Sequence, residues 1–495
     1  MHASASSPRF LGLSPAWAAV LVIGVATVFR FFYAVWLPLL PDEAYYLQWS
    51  RHLDASYFSK GPAIAYTIWA GTALFGSHNC GVRFFAVLLS AGTAWQIFLL
   101  ARRWYDEVTA LVAVLIAGVV PLFALGAVVM TIDPLSAFFW VWAANLFSRA
   151  IQDGLWRDWL LTGFAIGCGF LAKYLNALEL VAFLVFLLLV PERRRLLGRP
   201  QFWTMAIMAL ICALPVFWWN WQHGWVSAAQ LGNRGHLEGR FDLHFSTFFD
   251  FLSQQALVIS PLLFLALLAA ACRVLYLRAG NGWPEKSEGE LLLLILFLTV
   301  FLFYVVLAWH LRGEPNWPAV SYLTLIVILA SRWRQILDRN GSARYFISAA
   351  FLLAWLQTVV FHDPEVLPLS FKTDPMSRVV GWTEIAGRLD DIRHEQNADV
   401  LIADAYKEAS ILSFHLPDQG FIYTVRHDRP ATQYDFWPTY PTSPPHRALW
   451  ITETDENKPA VLAHDFSRIT PIEYMIVSFH GRVFRQYTVY LCENP

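Results

Sequence analysis

Two adjacent carboxylates, Asp42 and Glu43, directly follow the first long apolar stretch of the chain. Tyr45, Tyr46 and Trp49 come next, and Lys60 stands just before a Gly61-Pro62 break. Acids beside a bilayer are costly unless something uses them. A carboxylate there can accept a proton from a hydroxyl. Lysine and arginine at headgroup depth suit a phosphate, and Trp and Tyr faces suit sugar rings or the interface belt.

Further residues of these types recur between later apolar stretches. Arg51, Asp54 and Arg83 flank the first cluster, and Asp133 sits in the short turn Met130-Thr131-Ile132-Asp133-Pro134. Lys173-Tyr174-Leu175-Asn176 follows the fifth stretch, and a Trp-rich tract, 218–225, leads to His223, Arg234 and His236. His310, Arg312 and Glu314 precede Pro315-Asn316-Trp317-Pro318.

The elements that must position these residues are membrane helices. The chain has 495 residues, 57% hydrophobic and 15% charged. Soluble domains carry about 25% charged residues, and the mean hydropathy here is +0.45. Apolar stretches near 16–37, 82–101, 109–129, 134–149, 158–172, 175–190, 202–219, 255–277, 290–309, 318–331 and 343–362 predict about eleven spans. The first reads as an uncleaved helix, since no small-residue cleavage site follows it.

Arg102, Arg103, Arg149, Arg157, Arg193, Arg194, Arg195, Arg332 and Arg334 collect in one alternating set of loops. The positive-inside rule makes that set cytoplasmic. The N-terminus is then inside, and an odd span count puts the C-terminus outside. The acids, histidines and aromatic residues described above fall almost entirely on the outer side.

Residues 1–362 therefore read as a membrane-embedded domain. Residues 363–495 contain no spanning stretch and are richer in charge, Pro and His. Strand-like runs at 400–403, 421–425 and 448–452, with helix-like runs at 381–395 and 405–415, predict a small α/β domain on the outer face. The fold class is mainly α, with a large first outer loop. A net charge of −1 suggests no nucleic-acid partner. The five cysteines have no metal spacing and read as inert thiols, with Cys80–Cys492 pairing left open.

Together these residues form a set suited to glycosyl transfer. A sugar on a polyprenyl phosphate has a good leaving group, because a phosphate monoester's second pKa is about 6. It needs cations more than a general acid, whereas the acceptor hydroxyl needs a base. One carboxylate against the anomeric carbon supports inversion through an oxocarbenium-like transition state. A lipid-linked donor also explains why such chemistry would sit among many helices.

At these residues the sequence resembles the C-type-fold, lipid-phosphate-sugar-dependent glycosyltransferases, specifically glycosyltransferase family 39. That group includes protein O-mannosyltransferases and lipid A aminoarabinose transferases. The resemblance spans about 16–330. It rests on Asp42-Glu43-Ala44-Tyr45-Tyr46, Phe58-Ser59-Lys60-Gly61-Pro62, Gly81-Val82-Arg83 and Asp133-Pro134, on the 214–225 tract and on Glu314-Pro315-Asn316-Trp317-Pro318. It implies that Asp42 is the base, Lys60 a donor-phosphate ligand and Asp133 an acid near the acceptor. It also implies a polyprenyl-phosphate-sugar donor, a lipid, glycan or protein acceptor, and a bacterial inner membrane. In aminoarabinose transferases a Glu before the lysine helps hold a metal. Here that position is Ser59, so no metal is assigned.

The candidate set is thus Asp42, Glu43 and Asp133 for catalysis. Lys60, Arg83, Lys173, Tyr174, Arg234, His236, His310 and Arg312 are the candidates for substrate binding. Several have structural alternatives: Glu43 as a helix-start acid, Lys60 as a snorkelling side chain, Asp133 as an N-cap, Lys173 as a C-terminal cap and Arg83 as a helix anchor. Glu179, inside the sixth span, is expected to pair with Lys173. His223, His236 and His310 lack helical ligand spacing. A secondary transporter would show repeated halves, and none is found. A silent scaffold presenting 363–495 would not need acids in several outer loops.

Overall fold

The computed structural model describes residues 12–235, 243–281, 288–339, 341–363, 378–425, 427, 429–441, 447–453, 460–479 and 482–494. Helices α1 (Pro15–Trp36), α2 (Pro41–Arg51), α3 (Ala63–Phe75), α4 (Asn79–Trp104), α5 (Glu107–Val119), α6 (Pro121–Gly126) and α7 (Ile132–Asp153) come first. Then follow α8 (Trp156–Ala172), α9 (Leu178–Leu189), α10 (Pro200–Gln222), α11 (Val226–Arg234), α12 (Phe245–Ile259), α13 (Pro261–Asn281), α14 (Glu288–Ala308), α15 (Ala319–Leu337) and α16 (Ala343–His362). The C-terminal region adds α17 (Trp382–Glu395), β1 (Val400–Ala403), α18 (Tyr406–His415), β2 (Tyr423–Thr424), β3 (Arg447–Glu453), α19 (Ala460–Asp465), β4 (Arg468–Phe479) and β5 (Arg482–Glu493).

Among the described residues, six helices are long and apolar enough to cross a membrane: α1, α4, α10, α14, α15 and α16. A seventh span is formed if α12 and α13, bent by 108° at their junction, count as one. About eleven were expected. The windows at 109–129, 134–149, 158–172 and 175–190 are helical too, as α5 with α6, α7, α8 and α9, but α5 and α9 are too short to span alone. Ser260, at the bend, has φ +87°.

The chain divides into two compact units. The first takes the described residues up to Ala34, Asp54–Thr67 and Arg83–Asp363. Its core runs through α4, α5, α7, α9, α14 and α15 and is almost wholly apolar. Gly163 of α8 allows α10 to approach so closely that a Cβ would collide with the Met205 carbonyl. That contact fixes the two helices that carry Lys173 and the Trp-rich tract at their ends.

The second unit takes Val35–Leu53, Ile68–Val82 and the described part of 364–495. Its sheet has the order β2-β1-β3-β5-β4. β1 pairs in parallel with β2 and β3, while β5 is antiparallel to β3 and β4. The expected runs at 400–403, 421–425 and 448–452 correspond to β1, β2 and β3, and those at 381–395 and 405–415 to α17 and α18. β4 and β5 were not anticipated. Pro471 interrupts the β4 pattern and sits beside a register shift. β4 is an edge strand, where a proline is tolerated. Cys80 and Cys492 are both thiols, so the pairing left open does not form.

Candidate functional site in two clusters

In the second unit, α2 carries the paired acids. Pro41 opens the helix, where its missing N–H is not needed. Asp42 is exposed in the first turn, and Glu43 is fully buried. The Glu43 carboxylate turns back to accept the Leu40 N–H at 3.1 Å, so it acts as a helix-start residue. Glu43→Ala should therefore cost about 0.5–2 kcal/mol of stability. Glu43→Gln, which keeps an acceptor oxygen, should leave melting temperature and transfer near wild type.

What holds α2 is the C-terminal region. α2 packs along α18. The Tyr45 ring lies 4.3 Å from Tyr406 and stacks at 6.0 Å on Tyr434. Its hydroxyl accepts the Gln433 N–H at 2.7 Å, and burial pushes the Tyr45 phenol well up from its ordinary value. Gln48 donates to Ser413 at 2.9 Å, and Arg51 donates to the Gln419 carbonyl at 3.1 Å. Every contact on the buried face of α2 named here goes to residues more than 350 positions away. Asp42 is left on the exposed face.

In the first unit the centre is Asp133. Thr131, rather than Asp133, caps α7: its hydroxyl accepts the Asp133 N–H at 3.3 Å. The Asp133 carboxylate is thereby available to other groups. Lys173 Nζ donates to Oδ1 at 2.9 Å and to the Trp317 carbonyl at 3.4 Å. Asn316 donates to Oδ2 at 2.6 Å. Lys173 also ends α8, its N–H donating to the Gly169 carbonyl, so it serves both as cap and as ion-pair partner. Its Nζ goes to Asp133, not to Glu179. Glu179 is wholly buried, and among the described residues neither carboxylate oxygen has a hydrogen-bond donor.

The Asn316 loop is pinned by a residue sequence reasoning passed over. Buried Gln255 donates to the Pro315 carbonyl at 3.1 Å and accepts from Tyr322 at 3.0 Å. Asn176 likewise braces α7, accepting from the Ser136 hydroxyl at 2.6 Å.

Lys60 lies in a tight turn in which its carbonyl accepts the Tyr57 N–H at 3.2 Å. Gly61 is jammed against the end of α8, where any Cβ would collide with the Leu171 carbonyl. Gly61→Ala should cost about 1–3 kcal/mol by overpacking and shift Lys60. Thermal unfolding and the KM for donor would report both effects. The preceding segment is tied to the Trp-rich tract. Trp219 donates to Asp54 at 2.8 Å, and Ser227 donates to the Tyr57 carbonyl at 3.1 Å. Trp219 is therefore a fastener, while Trp218, Trp221 and Trp225 remain largely exposed. The Tyr174 hydroxyl lies beside those of Ser56 and Ser227.

The remaining candidates are dispersed. Arg83 is fully buried and donates to the Ala34 carbonyl at 2.9 Å, anchoring the end of α1. Arg234 is exposed at the end of α11. Arg312 is exposed and faces Asp250 at 3.7 Å. His310 follows the end of α14. His236 lies outside the described residues. Among the described residues, no group of three His, Cys, Asp or Glu could hold a metal ion.

A family model described as dolichyl-phosphate-mannose-protein mannosyltransferase matches residues 59–219. A lipid A galacturonosyltransferase of Rhizobium johnstonii is 25% identical over 423 residues, covering 83% of this chain and 85% of that protein. An undecaprenyl phosphate-aminoarabinose arabinosyl transferase of Pseudomonas aeruginosa is 28% identical over 329 residues, 61% of this chain. The chain spans 57% of that enzyme's length. The crystal structure of ArnT from Cupriavidus metallidurans bound to undecaprenyl phosphate aligns over 96% of this chain and 98% of its own, with TM-score 0.67 and 16% identity. The Archaeoglobus fulgidus oligosaccharyltransferase aligns over 80% of this chain and 61% of its own, with TM-score 0.52 and 14% identity.

The fold is that of the multi-pass C-type membrane glycosyltransferases, and the relative matched along most of both chains makes this a lipid-phosphate-sugar-dependent glycosyltransferase. Within that class, the chain is similar to the polyprenyl-phosphate-sugar-dependent transferases of family 39, ArnT among them.

Proposed function

We propose that this enzyme moves a sugar from a polyprenyl-phosphate donor to a hydroxyl of lipid A, at the outer face of a bacterial inner membrane. The observation that carries this reading is Asp133 held by Lys173 and Asn316 in the first unit; in the second, Asp42 stands on the exposed face of α2. Asp42 takes the acceptor proton. Lys60 neutralises the departing phosphate, and Arg83 acts by fixing the helix end from which the first loop departs. Asp133 orients the acceptor. Lys173, Tyr174, Arg234, His310 and Arg312 are assigned to the walls of the substrate path rather than to the bond being broken.

With one carboxylate acting on the acceptor, transfer inverts the anomeric centre. Helices α5, α7, α8 and α9 complete the membrane domain, giving the eleven spans expected and an outer C-terminal region. The acceptor reading is supported by the lipid A galacturonosyltransferase match, which runs along most of both chains. The sugars named for the two relatives carry opposite charges at neutral pH, a carboxylate in one and an ammonium in the other.

Mass spectrometry of lipid A from cells with and without the gene tests the reading. A lipid A species heavier by one sugar, present only with the gene, is expected. Identical lipid A spectra would overturn the acceptor assignment.

A further inference from the structure

Arg30 stands in α1 six residues before Trp36, about 9 Å from that end of the helix at 1.5 Å per residue. An arginine at such depth is costly unless it faces the protein interior and is used. Arg30 lines a cavity of about 110 Å³ in the first unit, shared with Asp133 and Asn316. The remaining wall is mostly apolar, including Ile97, Leu122 and Leu323, with hydroxyls from Ser90 and Thr93. Among the described residues Arg30 makes no hydrogen bond or ion pair.

The charges facing this space are unbalanced. Asp133 is countered by Lys173 at 2.9 Å and accepts from Asn316. Arg30 is therefore the uncompensated charge, a guanidinium with five donors in a fixed fork. A snorkelling arginine would direct its head along the lipid face, whereas this one lines a cavity.

Resting on the proposed function, we propose that this cavity is an oxyanion site for the lipid-linked donor, with Arg30 as its ligand. The apolar wall accommodates the isoprenoid end, and the guanidinium takes either the phosphate or the carboxylate of a uronic sugar. Where it holds the carboxylate, Arg30 is a specificity-determining residue that favours a uronic sugar over one that is cationic at that point; where it holds the phosphate, it binds the donor whatever its sugar.

The test uses the full chain in lipid nanodiscs with polyprenyl phosphate and polyprenol as probes, and with uronosyl and neutral hexosyl polyprenyl-phosphate donors. If Arg30 holds the phosphate, wild type binds the phosphate lipid more tightly than the alcohol. Arg30→Met then loses about 10- to 100-fold of that affinity and slows both donors alike, with Arg30→Lys recovering part. If Arg30 holds the carboxylate, Arg30→Met slows the uronosyl donor alone and leaves phosphate-lipid binding intact. Arg30→Met indistinguishable from wild type with every lipid would overturn the proposal. Should that variant not fold, Ala26→Phe fills the same cavity and must weaken donor-lipid binding with Arg30 intact; unchanged binding there also counts against the site. A wild type that binds the phosphate lipid but transfers no sugar from any donor refutes the proposed function and leaves the oxyanion site standing.

Discussion

Asp42→Asn lowers the transfer rate by about 10²–10⁴-fold, the usual contribution of a positioned general base, while the protein folds and melts as wild type. The two halves of this expectation have separate causes. The amide keeps the shape and hydrogen-bonding capacity of the side chain but cannot accept the hydroxyl proton. Asp42 is exposed, and the buried face of its helix is formed by Glu43, Tyr45, Gln48 and Trp49, so stability does not depend on its charge. Single-turnover rates with saturating donor and acceptor isolate the chemical step. Transfer within about threefold of wild type, well short of the range for a general base, would remove Asp42 from that role.

The second large effect is expected at the Asp133–Lys173 pair. The two side chains are only 21% and 11% exposed. Lys173→Met leaves a mostly enclosed carboxylate with Asn316 as its remaining partner, a change that costs about 1–3 kcal/mol after allowing for partial solvation. It also releases the Trp317 carbonyl, so the loop carrying Asn316 loses one of its anchors. Transfer should fall together with stability. Asp133→Asn in the Lys173→Met background should cost much less stability than it does alone, a coupling of about 0.5–3 kcal/mol. Thermal unfolding of the four proteins in one detergent measures it. Additive losses would mean that the pair does not act as a unit.

The sequence makes the chemistry-bearing residues visible because they contrast with an apolar background. Asp133, Lys60 and Lys173 are recognisable in that way, and the structure joins Asp133 to Lys173 through a contact 40 positions apart. Residue type did not reveal how each side chain is used. Glu43 reads as chemically equivalent to Asp42 until its carboxylate is seen closing on the Leu40 N–H. Arg83 reads as a ligand from its type alone, which does not disclose that its buried guanidinium donates to the Ala34 carbonyl. Arg30 is visible in the sequence as a charge that interrupts an otherwise apolar span, but that alone does not disclose the cavity it lines. Gln255 and Asn316 carry no charge and give no such signal.

The largest gap concerns 364–495. Its first three strands and two helices show as alternating or periodic runs. Its hold on α2 does not show, because Tyr45 meets Gln433 across 388 positions, and no local pattern encodes such a contact. The C-terminal region thus forms the platform that positions the proposed base, which no local run within it discloses.

The most direct test of the central claim is reconstitution. Purified full-length protein in nanodiscs is given a polyprenyl-phosphate-linked sugar and lipid A, and the products are resolved by mass spectrometry and NMR. Glycosylated lipid A with an anomeric configuration opposite to the donor's, formed together with free polyprenyl phosphate and absent with Asp42→Asn, is the predicted result. No sugar transfer from any polyprenyl-phosphate donor, or transfer with retained configuration, would contradict it.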